Sequence, residues 1–415
     1  MPQDLKKAYR TIMDDHFPDR MEIAFVFDDR RTTLVYDKVT WIIDDVRKGL
    51  RYGENPGQEA ALYKLVNGNL TLGQVTTLAP ARHLVSDAEL LQFGKHPGKI
   101  NLTDADNALN ILRYLPDRPA AAIMKHNNPS GVALADTLLE AYEKADLADH
   151  IAAFGGCIAL NRPVDAPTAE AIAERYAEVV VAPEYEEGTV AILGKRKNLR
   201  IMRIGAMDQL RSFAPERVVD FKSLIDGSVI AQLSFVPETR TPADLLPAET
   251  VYKGATYRVN RAPTEQELAD LLFGWCVELG TLSNSVLYAK DGVTIGIGAG
   301  EQDRVGVAVV ARDKAYRNMA ERLAYTRHAN SYRFLDAENK AHIDAEVQAA
   351  RGGLSGAVMV SDAFFPFRDG VDVGLDEGVT AVIQPGGSLN DFEVIEAVNQ
   401  HHAAMVFTGQ RCFKH

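Results

Sequence analysis

Hydrophobic and polar positions along this chain follow two spacings that succeed one another. Short apolar runs, which indicate buried strands, alternate with segments in which apolar residues recur every three or four positions, as on a half-buried helix. The strand-like runs lie at 119–124, 154–160, 178–183, 285–290, 293–300, 356–360, 380–384 and 403–407. The helical spacings lie at 104–115, 134–146, 166–178, 264–279, 306–325 and 390–400, and 188–204 predicts a helix followed by a strand. This alternation predicts a layered α/β fold.

The stretch from 213 to 260 breaks the alternation, because its strand-like segments are interspersed with proline. It is followed by Thr264 and Glu267, which have the spacing of a capping box ahead of a helix. The chain is therefore predicted to contain four parts: an N-terminal extension at 1–48, a first subdomain at 49–212, a linking region with a helix at 213–280, and a second subdomain at 281–415.

The two subdomains resemble each other in the order of their elements. In each, an apolar strand leads into a polar turn with proline and glycine, then a helix and another strand, beginning at 120 in the first and at 356 in the second. This order indicates a duplication. Ligands of open α/β sheets bind at the carboxyl ends of strands, so both turns are candidate walls of a site.

Composition is typical of an ordinary soluble globular protein, with 46% hydrophobic and 25% charged residues. Cys157, Cys276 and Cys412 lie far apart without CxxC spacing, which argues against a zinc cluster and fits a reducing compartment. The charged N-terminus lacks the apolar core of a signal peptide, and no apolar run reaches the length of a membrane span. We therefore expect a cytoplasmic location and no membrane partner.

The net charge of −12 argues against broad binding to nucleic acid. An acidic chain can still bind an anionic small molecule where a few basic residues line a pocket. Such a pocket has to come from individually placed residues, so the motifs decide the question.

Lys125 and His126 follow the buried strand at 119–124 and precede a turn rich in asparagine and proline. One interpretation is a solvated turn ahead of a helix. The other is chemical: an imidazole can accept a proton, and a neighbouring cation can stabilise developing negative charge. Neighbours in a strand point to opposite faces, so both can serve one site only if the turn begins at Lys125.

The stretch IGIGAGEQDR at 295–304 partly resembles a dinucleotide-binding loop. Gly296 and Gly298 fit G-x-G, but Glu301 stands where the third glycine belongs, so close packing of a strand and a turn is the better interpretation. Arg304 could still present a guanidinium to an anion.

The stretch RYGENPGQEAALY at 51–63 combines Arg51 and Tyr52 with a turn of glycine, asparagine and proline. A surface turn is its ordinary interpretation. A loop that binds phosphate through arginine is the alternative.

Two later segments also contain polar and aromatic residues. In SDAFFPFRDG at 361–370, phenylalanines around a proline are typical of a core, yet Asp362, Arg368 and Asp369 bracket the aromatic rings, as in a site for a flat heterocycle. The ending TGQRCFKH is typical of a frayed tail.

Taken together, several stretches resemble the formyltransferase part of the bifunctional AICAR transformylase/IMP cyclohydrolase family. They are LRYGENPGQEAALY, KINLTDADNALNIL, KHNNPSGVA, FGGCIALNRPVDAPTAEAI, TLSNSVLYAKDGVTIGIGAGEQDRV, SDAFFPFRDGVD and QRCFKH, in order from about residue 49 to 415. The combination of KHxNPxG, SNSxxYAK and SDAFFPFRD on one chain makes the resemblance specific.

The resemblance implies a fold of two cytidine-deaminase-like α/β/α subdomains that lack the deaminase zinc site. In agreement, the chain has no H-x-E followed by P-C-x-x-C, so hydrolytic deamination is disfavoured. The implied reaction transfers a formyl group from the co-substrate 10-formyltetrahydrofolate to the 5-amino group of AICAR, in purine biosynthesis.

The resemblance also implies roles for individual residues. His126 would be the general base, and Lys125 would stabilise the oxyanion or protonate the departing folate nitrogen. The residues implied at the nucleotide are Arg51, Tyr52, Asn284, Arg304, Arg411 and His415, and those at the folate are Phe154, Gly155, Phe364 and Asp369.

The chain departs from the family pattern at Gly57 and Lys414, where histidine is usual, and at Gln302-Asp303. These departures affect nucleotide contacts rather than the acid–base pair. The cyclohydrolase part of the family has no counterpart in the matched region, so we expect ring closure to IMP to need a separate cyclohydrolase. The resemblance further implies a homodimer with sites between subunits and a structural potassium ion near 283–285 and the C-terminal segment.

Two other functions remain open at this stage. The chain could be a non-catalytic nucleotide-binding subunit that serves a separate cyclohydrolase, although such a subunit has no need of Lys125 and His126. It could also use another formyl donor, such as formate activated by ATP, but the ATP-binding pattern G-x-x-x-x-G-K-[ST] is absent from the sequence.

Overall fold

The computed structural model describes residues 5–77 and 82–415. The chain divides into two compact units that interleave along the sequence. The N-terminal unit consists of Met1–Asp106, Asn161–Glu174 and Glu178–Val236, and the C-terminal unit consists of Asn107–Leu160, Arg175–Ala177 and Pro237–His415. These units differ from the boundaries predicted at 48, 212 and 280, because each unit gathers segments that lie far apart along the chain.

Helices and strands alternate over much of the described chain, as the sequence predicts for an α/β fold. The strands are β1 Arg20–Phe27, β2 Arg30–Val39, β3 Trp41–Ile43, β4 Val46–Lys48, β5 Leu62–Gly68, β6 Thr71–Leu72, β7 Val75–Thr76, β8 Glu89–Gln92, β9 Ala120–Lys125, β10 Asn128–Leu134, β11 Cys157–Leu160, β12 Val179–Ala182, β13 Arg200–Arg203, β14 Val219–Ser223, β15 Val229–Leu233, β16 Leu246–Pro247, β17 Glu249–Tyr252, β18 Ala255–Arg258, β19 Val286–Lys290, β20 Val293–Gly298, β21 Val358–Ser361, β22 Ala381–Gln384 and β23 Ala404–Phe407. The helices are α1 Leu5–Ala8, α2 Lys99–Leu112, α3 Leu138–Ala148, α4 His150–Ala153, α5 Ala166–Ala173, α6 Thr189–Leu193, α7 Glu265–Glu278, α8 Arg304–His328, α9 Ala337–Ala349, α10 Arg368–Leu375 and α11 Asp391–Gln400.

The C-terminal unit is built on a mixed sheet with strand order β16-β23-β22-β21-β19-β20-β10-β9-β11. Strands β21, β22 and β23 are parallel to one another, and all their residues are buried. Continuous apolar runs such as VMVS and AVIQ therefore form here, because helices cover both faces of a parallel sheet. Helix α7 approaches closely at Gly274, where a Cβ would lie 2.5 Å from Cγ2 of Val360.

A duplicated arrangement is visible within this unit, but it differs from the predicted one. The hairpin β9–β10 has β11 antiparallel on its outer side, and the hairpin β19–β20 has β21 antiparallel on its outer side. Strand β9 therefore corresponds to β19, whereas the sequence pattern paired 120–131 with 356–370. The apolar runs of β9 and β21 look alike because both are buried, and only the pairing of strands distinguishes them.

The N-terminal unit contains the antiparallel strands β1, β2 and β5 and a second group in which β12 lies parallel to β13 and β13 antiparallel to β8. Residues of β2 pair with residues of β5, for example Leu34 with Gly68. The segment predicted as a separate extension at 1–48 thus contributes strands to the same unit as the residues that follow it. Its strands β1 and β2 were not predicted, because most of their residues are only partly buried or exposed.

Within the described residues, no helix combines the length and apolar character needed to cross a membrane.

A first prediction concerns Gly131 in β10, where α3 crosses the strand. A Cβ at this position would lie 2.0 Å from the carbonyl oxygen of Ala145 and 2.9 Å from Cβ of Ala148. We expect Gly131→Ala to destabilise the protein by about 1–3 kcal/mol, as overpacking does, and to lower the urea midpoint of unfolding. The control is Gly205→Ala, because a Cβ there meets nothing within 4 Å. Equal midpoints for the two variants would contradict this account of the packing.

A second prediction concerns His96, which is 3% exposed and faces the carbonyl oxygen of Gly49 through Nε2. Burial lowers the pKa of His96 from 6.5 to about 4, with Arg51 and Arg200 contributing, despite the hydrogen bond to Gly49. As the pH falls from about 6.5 towards about 4, His96 binds a proton in the unfolded chain but stays neutral in the folded protein. The free energy of unfolding therefore decreases.

We therefore expect the urea midpoint of His96→Gln to fall less than that of the wild type between about pH 7.5 and about pH 5. The matched control is His342→Gln, which replaces an exposed histidine on α9. An unchanged pH dependence in His96→Gln would show that His96 takes up its proton at an ordinary pH.

Candidate active site

The turn that contains His126 joins two paired strands. Lys125 ends β9, Asn128 begins β10, and the two residues are register partners. Only His126 and Asn127 lie between them, with φ of 52° and 63°. Positive φ at both central residues is typical of a type I′ hairpin turn, and histidine and asparagine adopt it more readily than most residues. The sequence predicted a turn leading directly to a helix, but strand β10 lies between them. The strand was not recognised because proline, here at 129, is uncommon inside strands.

The Lys125 ammonium is held at the tip of this hairpin. Its Nζ donates to the carbonyl oxygen of Gly155 at 2.9 Å, and the amide of Gly155 donates to the carbonyl oxygen of Tyr176 at 2.7 Å. Gly155 has φ of 69°, and a Cβ there would lie 3.1 Å from the Tyr176 ring and 3.3 Å from Lys125 Nζ. Glycine is therefore needed for this contact. Lys125 is half-buried and His126 is exposed, so a cation and an imidazole share one tip.

An exposed aromatic surface lies beside Lys125. Phe154 is 67% exposed, and its ring centroid lies 5.0 Å from that of Tyr176. The structure thus brings together Lys125, Phe154 and Gly155, three residues that the sequence singled out. Tyr176 was missed, because it lies at the end of a segment that the sequence pattern assigned to a helix.

The hairpin tip is tied to the segment 280–285 by two asparagines. The side-chain amide of Asn107 donates to the carbonyl oxygens of Asn127 at 2.9 Å and Gly280 at 2.8 Å. The amide of Leu282 donates to Oδ1 of Asn128 at 3.0 Å. These contacts place Lys125 and His126 in a fixed relation to Asn284. Asn107 carries no signal in the sequence, since its position fits an ordinary helix.

Arg304 begins α8 and is 7% exposed. Its Nη2 donates to Oδ1 of Asn284 at 2.9 Å, and its Nη1 donates to the carbonyl oxygen of Ser285 at 2.8 Å, to Oγ of Ser361 at 3.0 Å and to Oδ1 of Asp362. The guanidinium therefore positions Asn284 and neutralises Asp362. The sequence suggested that Arg304 faces an anion, and among the described residues that anion is the carboxylate of Asp362.

The C-terminal segment is attached to the same region. The amide of Ser283 donates to the carbonyl oxygen of Lys414 at 2.9 Å, and the amide of Lys414 donates to Oγ of Ser283 at 3.1 Å. The amide of Cys412 donates to the carbonyl oxygen of Asp362 at 3.0 Å. The tail is consequently held in place as far as Lys414, and its interpretation as a frayed end is wrong.

Two basic side chains of the tail stay at the surface. Arg411 and His415 are both exposed. The guanidinium carbon of Arg411 lies 4.6 Å from the ring centroid of Phe413, and that ring lies 5.6 Å from the His415 ring. The tail therefore presents a cation and an imidazole around one aromatic ring.

The residues after β21 divide between core and surface. Phe365 is fully buried, whereas Phe364 is 40% exposed. Arg368 pairs with Asp372 at 2.8 Å on α10, and Asp369 is exposed in the first turn of that helix. The core interpretation holds for Phe365, while Phe364 and Asp369 lie at the surface.

Glu278 was missed at the sequence level. Glu278 ends α7 and is fully buried, with 0% of its surface exposed. Its carboxylate accepts a hydrogen bond from the hydroxyl of Ser285. Burial, reinforced by the charge of Asp362, raises the pKa of Glu278 well above 4.5. Its spacing from Leu271 and Trp275 puts it on the buried face of the helix, a signal that the sequence did contain.

Arg51 and Tyr52 lie in the N-terminal unit. Arg51 is 6% exposed, and its Nη1 donates to the carbonyl oxygens of Tyr9 at 3.3 Å and Lys95 at 3.2 Å. Its guanidinium carbon lies 4.5 Å from the Tyr52 ring centroid. The following residues form a turn in which the amide of Gln58 donates to the carbonyl oxygen of Asn55. Arg51 thus contacts two backbone carbonyl oxygens and the ring of Tyr52.

Across the described residues, no group of three or more histidine, cysteine, aspartate or glutamate side chains has a geometry that could hold a metal ion.

Known proteins resemble this chain over most of its length. The family model of the AICARFT/IMPCHase bienzyme matches residues 15–314. The bifunctional purine biosynthesis protein PurH of Aquifex aeolicus is 37% identical over 366 residues, which cover 88% of this chain and 59% of that protein. PurH of Magnetococcus marinus is 39% identical over 369 residues, covering 89% of this chain and 59% of that protein.

The chain thus spans about three fifths of the length of these curated relatives, since 59% of each is covered. The match includes the hairpin tip, the segment 280–285 and Arg304, on which the geometry of the site depends. The chain belongs to the AICARFT/IMPCHase bienzyme family.

Proposed function

We propose that this chain catalyses formyl transfer from 10-formyltetrahydrofolate to the 5-amino group of AICAR, giving formyl-AICAR. The observation that carries the proposal is the hairpin tip where Lys125 and His126 lie next to each other, with the lysine fixed by Gly155. Transfer to a weakly nucleophilic aromatic amine needs a base for the amine proton and a cation for the oxyanion. The chain covers 59% of the length of the Aquifex aeolicus relative. The proposal is therefore confined to formyl transfer, the reaction implied by the motifs that the chain contains.

The proposed reaction begins when the 5-amino nitrogen attacks the formyl carbon and forms the new C–N bond. His126 takes the proton that the amine loses, and the formyl oxygen becomes an oxyanion. Lys125 stabilises this oxyanion, since an ammonium has three N–H donors and one of them is engaged by Gly155. The oxyanion then collapses, the bond to N10 of the folate breaks, and that nitrogen takes the proton held by His126.

The two substrates are proposed to bind on opposite sides of this acid–base pair. Exposed rings at Phe154 and Phe364 offer apolar surfaces for a flat heterocycle, and the exposed guanidinium of Arg411 suits a phosphate. Within the C-terminal unit, the proposed AICAR contacts are Asn284, Arg304, Arg411 and His415, and the proposed folate contacts are Phe154, Gly155, Phe364 and Asp369.

We extend the proposal to two partners. One is a second copy of the chain, in a homodimer whose sites lie between subunits, and the other is a separate cyclohydrolase that acts on formyl-AICAR. Both follow from the resemblance to the family, and the oligomeric state can be checked by light scattering.

The resemblance also implies a potassium ion near 283–285, where Asp362 and Ser285 provide oxygen atoms. Such an ion needs several oxygen ligands. Both carboxylate oxygens of Asp362 already accept hydrogen bonds, Oδ1 from Arg304 and Oδ2 from Ser283 and the amide of Ser285. The carbonyl oxygen of Ser285 accepts from Arg304, and its hydroxyl is engaged by Glu278. These oxygens already have hydrogen-bond partners among the described residues, and no step of the proposed reaction involves the ion.

The proposed function is tested by following tetrahydrofolate formation from AICAR and 10-formyltetrahydrofolate with purified protein. We expect turnover in the wild type and a decrease in kcat of about 100-fold in His126→Ala, as loss of a general base predicts. The control is His342→Ala, since His342 is exposed on α9 and lies outside the proposed site. It should retain wild-type kcat.

Three outcomes would contradict the proposal. Equal kcat in His126→Ala and the wild type would exclude His126 as the base. AICAR binding without turnover would favour a non-catalytic nucleotide-binding subunit. Turnover only with formate and ATP would show that the donor is not the folate.

A further inference from the structure

Arg175 lies in a cluster of polar side chains that the proposed reaction does not use. Its side chain is 19% exposed, and the Asp146 carboxylate that faces it is 8% exposed. Nη2 of Arg175 lies 3.2 Å from Oδ2 of Asp146, and Nδ1 of His150 lies 2.9 Å from the same oxygen. Nη1 of Arg175 contacts Nε2 of His150. Arginine carries only hydrogen-bond donors, so Nε2 accepts from it and Nδ1 donates to Asp146.

The ring of Tyr325 on α8 completes this cluster. The guanidinium carbon of Arg175 lies 4.0 Å from the centroid of the Tyr325 ring, a distance typical of a cation–π contact. The centroid of the His150 ring lies 4.8 Å from the same centroid. Arg175 therefore contacts α3 through Asp146, α4 through His150 and α8 through Tyr325. A planar guanidinium with three partners, largely removed from water, has a more closely defined position than an exposed ion pair.

Arg175 is followed in the chain by Tyr176, which holds the loop that binds Lys125. The carbonyl oxygen of Tyr176 accepts from the amide of Gly155, and the carbonyl oxygen of Gly155 accepts from Nζ of Lys125. The Tyr176 ring also packs against Phe154. The guanidinium is thus connected to the Lys125 ammonium through one stretch of backbone and two hydrogen bonds.

The same loop is attached at its start by Asp149, the N-cap of α4. Its carboxylate is 2% exposed and accepts from Nη2 of Arg317 on α8 at 3.0 Å. Helix α4 spans only His150–Ala153 and leads directly into Phe154. A helix of one turn has little stability of its own. The position of α4 and of the residues after it therefore depends on the contacts of Asp149 and His150 with their neighbours.

We propose that Arg175 is a positioning residue for formyl transfer, an inference that rests on the proposed function. It fixes the carbonyl oxygen of Gly155 and through it the ammonium of Lys125, which the reaction uses to stabilise the oxyanion. The attached loop also carries the rings of Tyr176 and Phe154, which are proposed to face the folate. Loss of Arg175 should therefore affect the chemical step and folate binding together.

Arg175→Ala tests this role by steady-state kinetics. We expect kcat to fall by roughly 10- to 100-fold, because displacement of a reacting group by an ångström costs up to about 100-fold. KM for 10-formyltetrahydrofolate should rise, whereas KM for AICAR should stay unchanged, since Asn284 is held by Arg304. Arg175→Lys keeps the charge without the planar fork and should recover only part of the loss.

The matched control is Arg327→Ala. Arg327 lies near the end of α8 and donates to Glu346 at 2.8 Å, so the variant removes a similar pair from the same helix. It should keep the wild-type kcat and KM values. Wild-type kinetics in Arg175→Ala would contradict the proposal. A lower kcat with both KM values unchanged would also contradict it, because a smaller fraction of folded enzyme gives that result.

A double-mutant cycle with Lys125→Ala tests the path of the effect. If Arg175 acts through Lys125, the two changes are not independent, and Arg175→Ala should lower kcat much less in the Lys125→Ala background than in the wild type. Losses that multiply fully would show that Arg175 acts by another path, against the proposal.

Amide hydrogen exchange without substrates tests the connection itself. We expect the amide of Gly155 to exchange about 10-fold faster in Arg175→Ala and in the milder His150→Gln, because local opening becomes easier. The amide of Thr380, which donates to the carbonyl oxygen of Ala357, should keep its wild-type rate and reports on global stability. Unchanged exchange at Gly155 in both variants would overturn the proposal. If the wild type does not formylate AICAR, the proposed function fails, while exchange still shows whether Arg175 fixes Gly155.

Discussion

The buried ion pair between Arg304 and Asp362 is the interaction on which the candidate site depends. Both side chains are almost fully inaccessible, so each charge would be costly without the other. Through its remaining donors Arg304 also holds Asn284 and the carbonyl oxygen of Ser285, and the backbone of Asp362 accepts from Cys412. One pair of charges thereby joins the start of a helix, the ends of two strands and the C-terminal tail. Removing either partner would leave a buried charge and release all of them.

The hairpin tip adds the proposed reactive groups to this framework. A type I′ turn leaves no spare residues, so the positions of Lys125 and His126 follow from the pairing of β9 with β10. Asn107 and Asn128 then connect the tip to the segment beside Arg304. Sites held by paired strands and side-chain amides are more precise than sites on free loops. This rigidity suits the proposed formyl transfer, in which base, oxyanion and two substrates have to meet.

The second copy of the hairpin shows how a duplicated fold is specialised. Strands β19 and β20 are joined by Asp291 and Gly292, also with positive φ, and Lys290 ends β19 as Lys125 ends β9. Nζ of Lys290 donates to the carbonyl oxygen of Ser355, just as Nζ of Lys125 donates to that of Gly155. The second tip has no imidazole. The backbone arrangement is thus shared, and the proposed chemistry depends on the side chains of one copy.

The sequence by itself determined the α/β class and most elements of the C-terminal half, because long apolar runs and strong helical spacings reflect burial directly. It also singled out Lys125, His126, Asn284 and Arg304 through their motifs. It missed β10, where proline and glycine resemble a turn, and the strands before residue 48, which are only partly buried. Only the tertiary structure decided that Arg304 neutralises Asp362, that Asn107 fastens the hairpin and that Glu278 is enclosed. These facts arise between residues far apart in the chain, and no local spacing records such a contact.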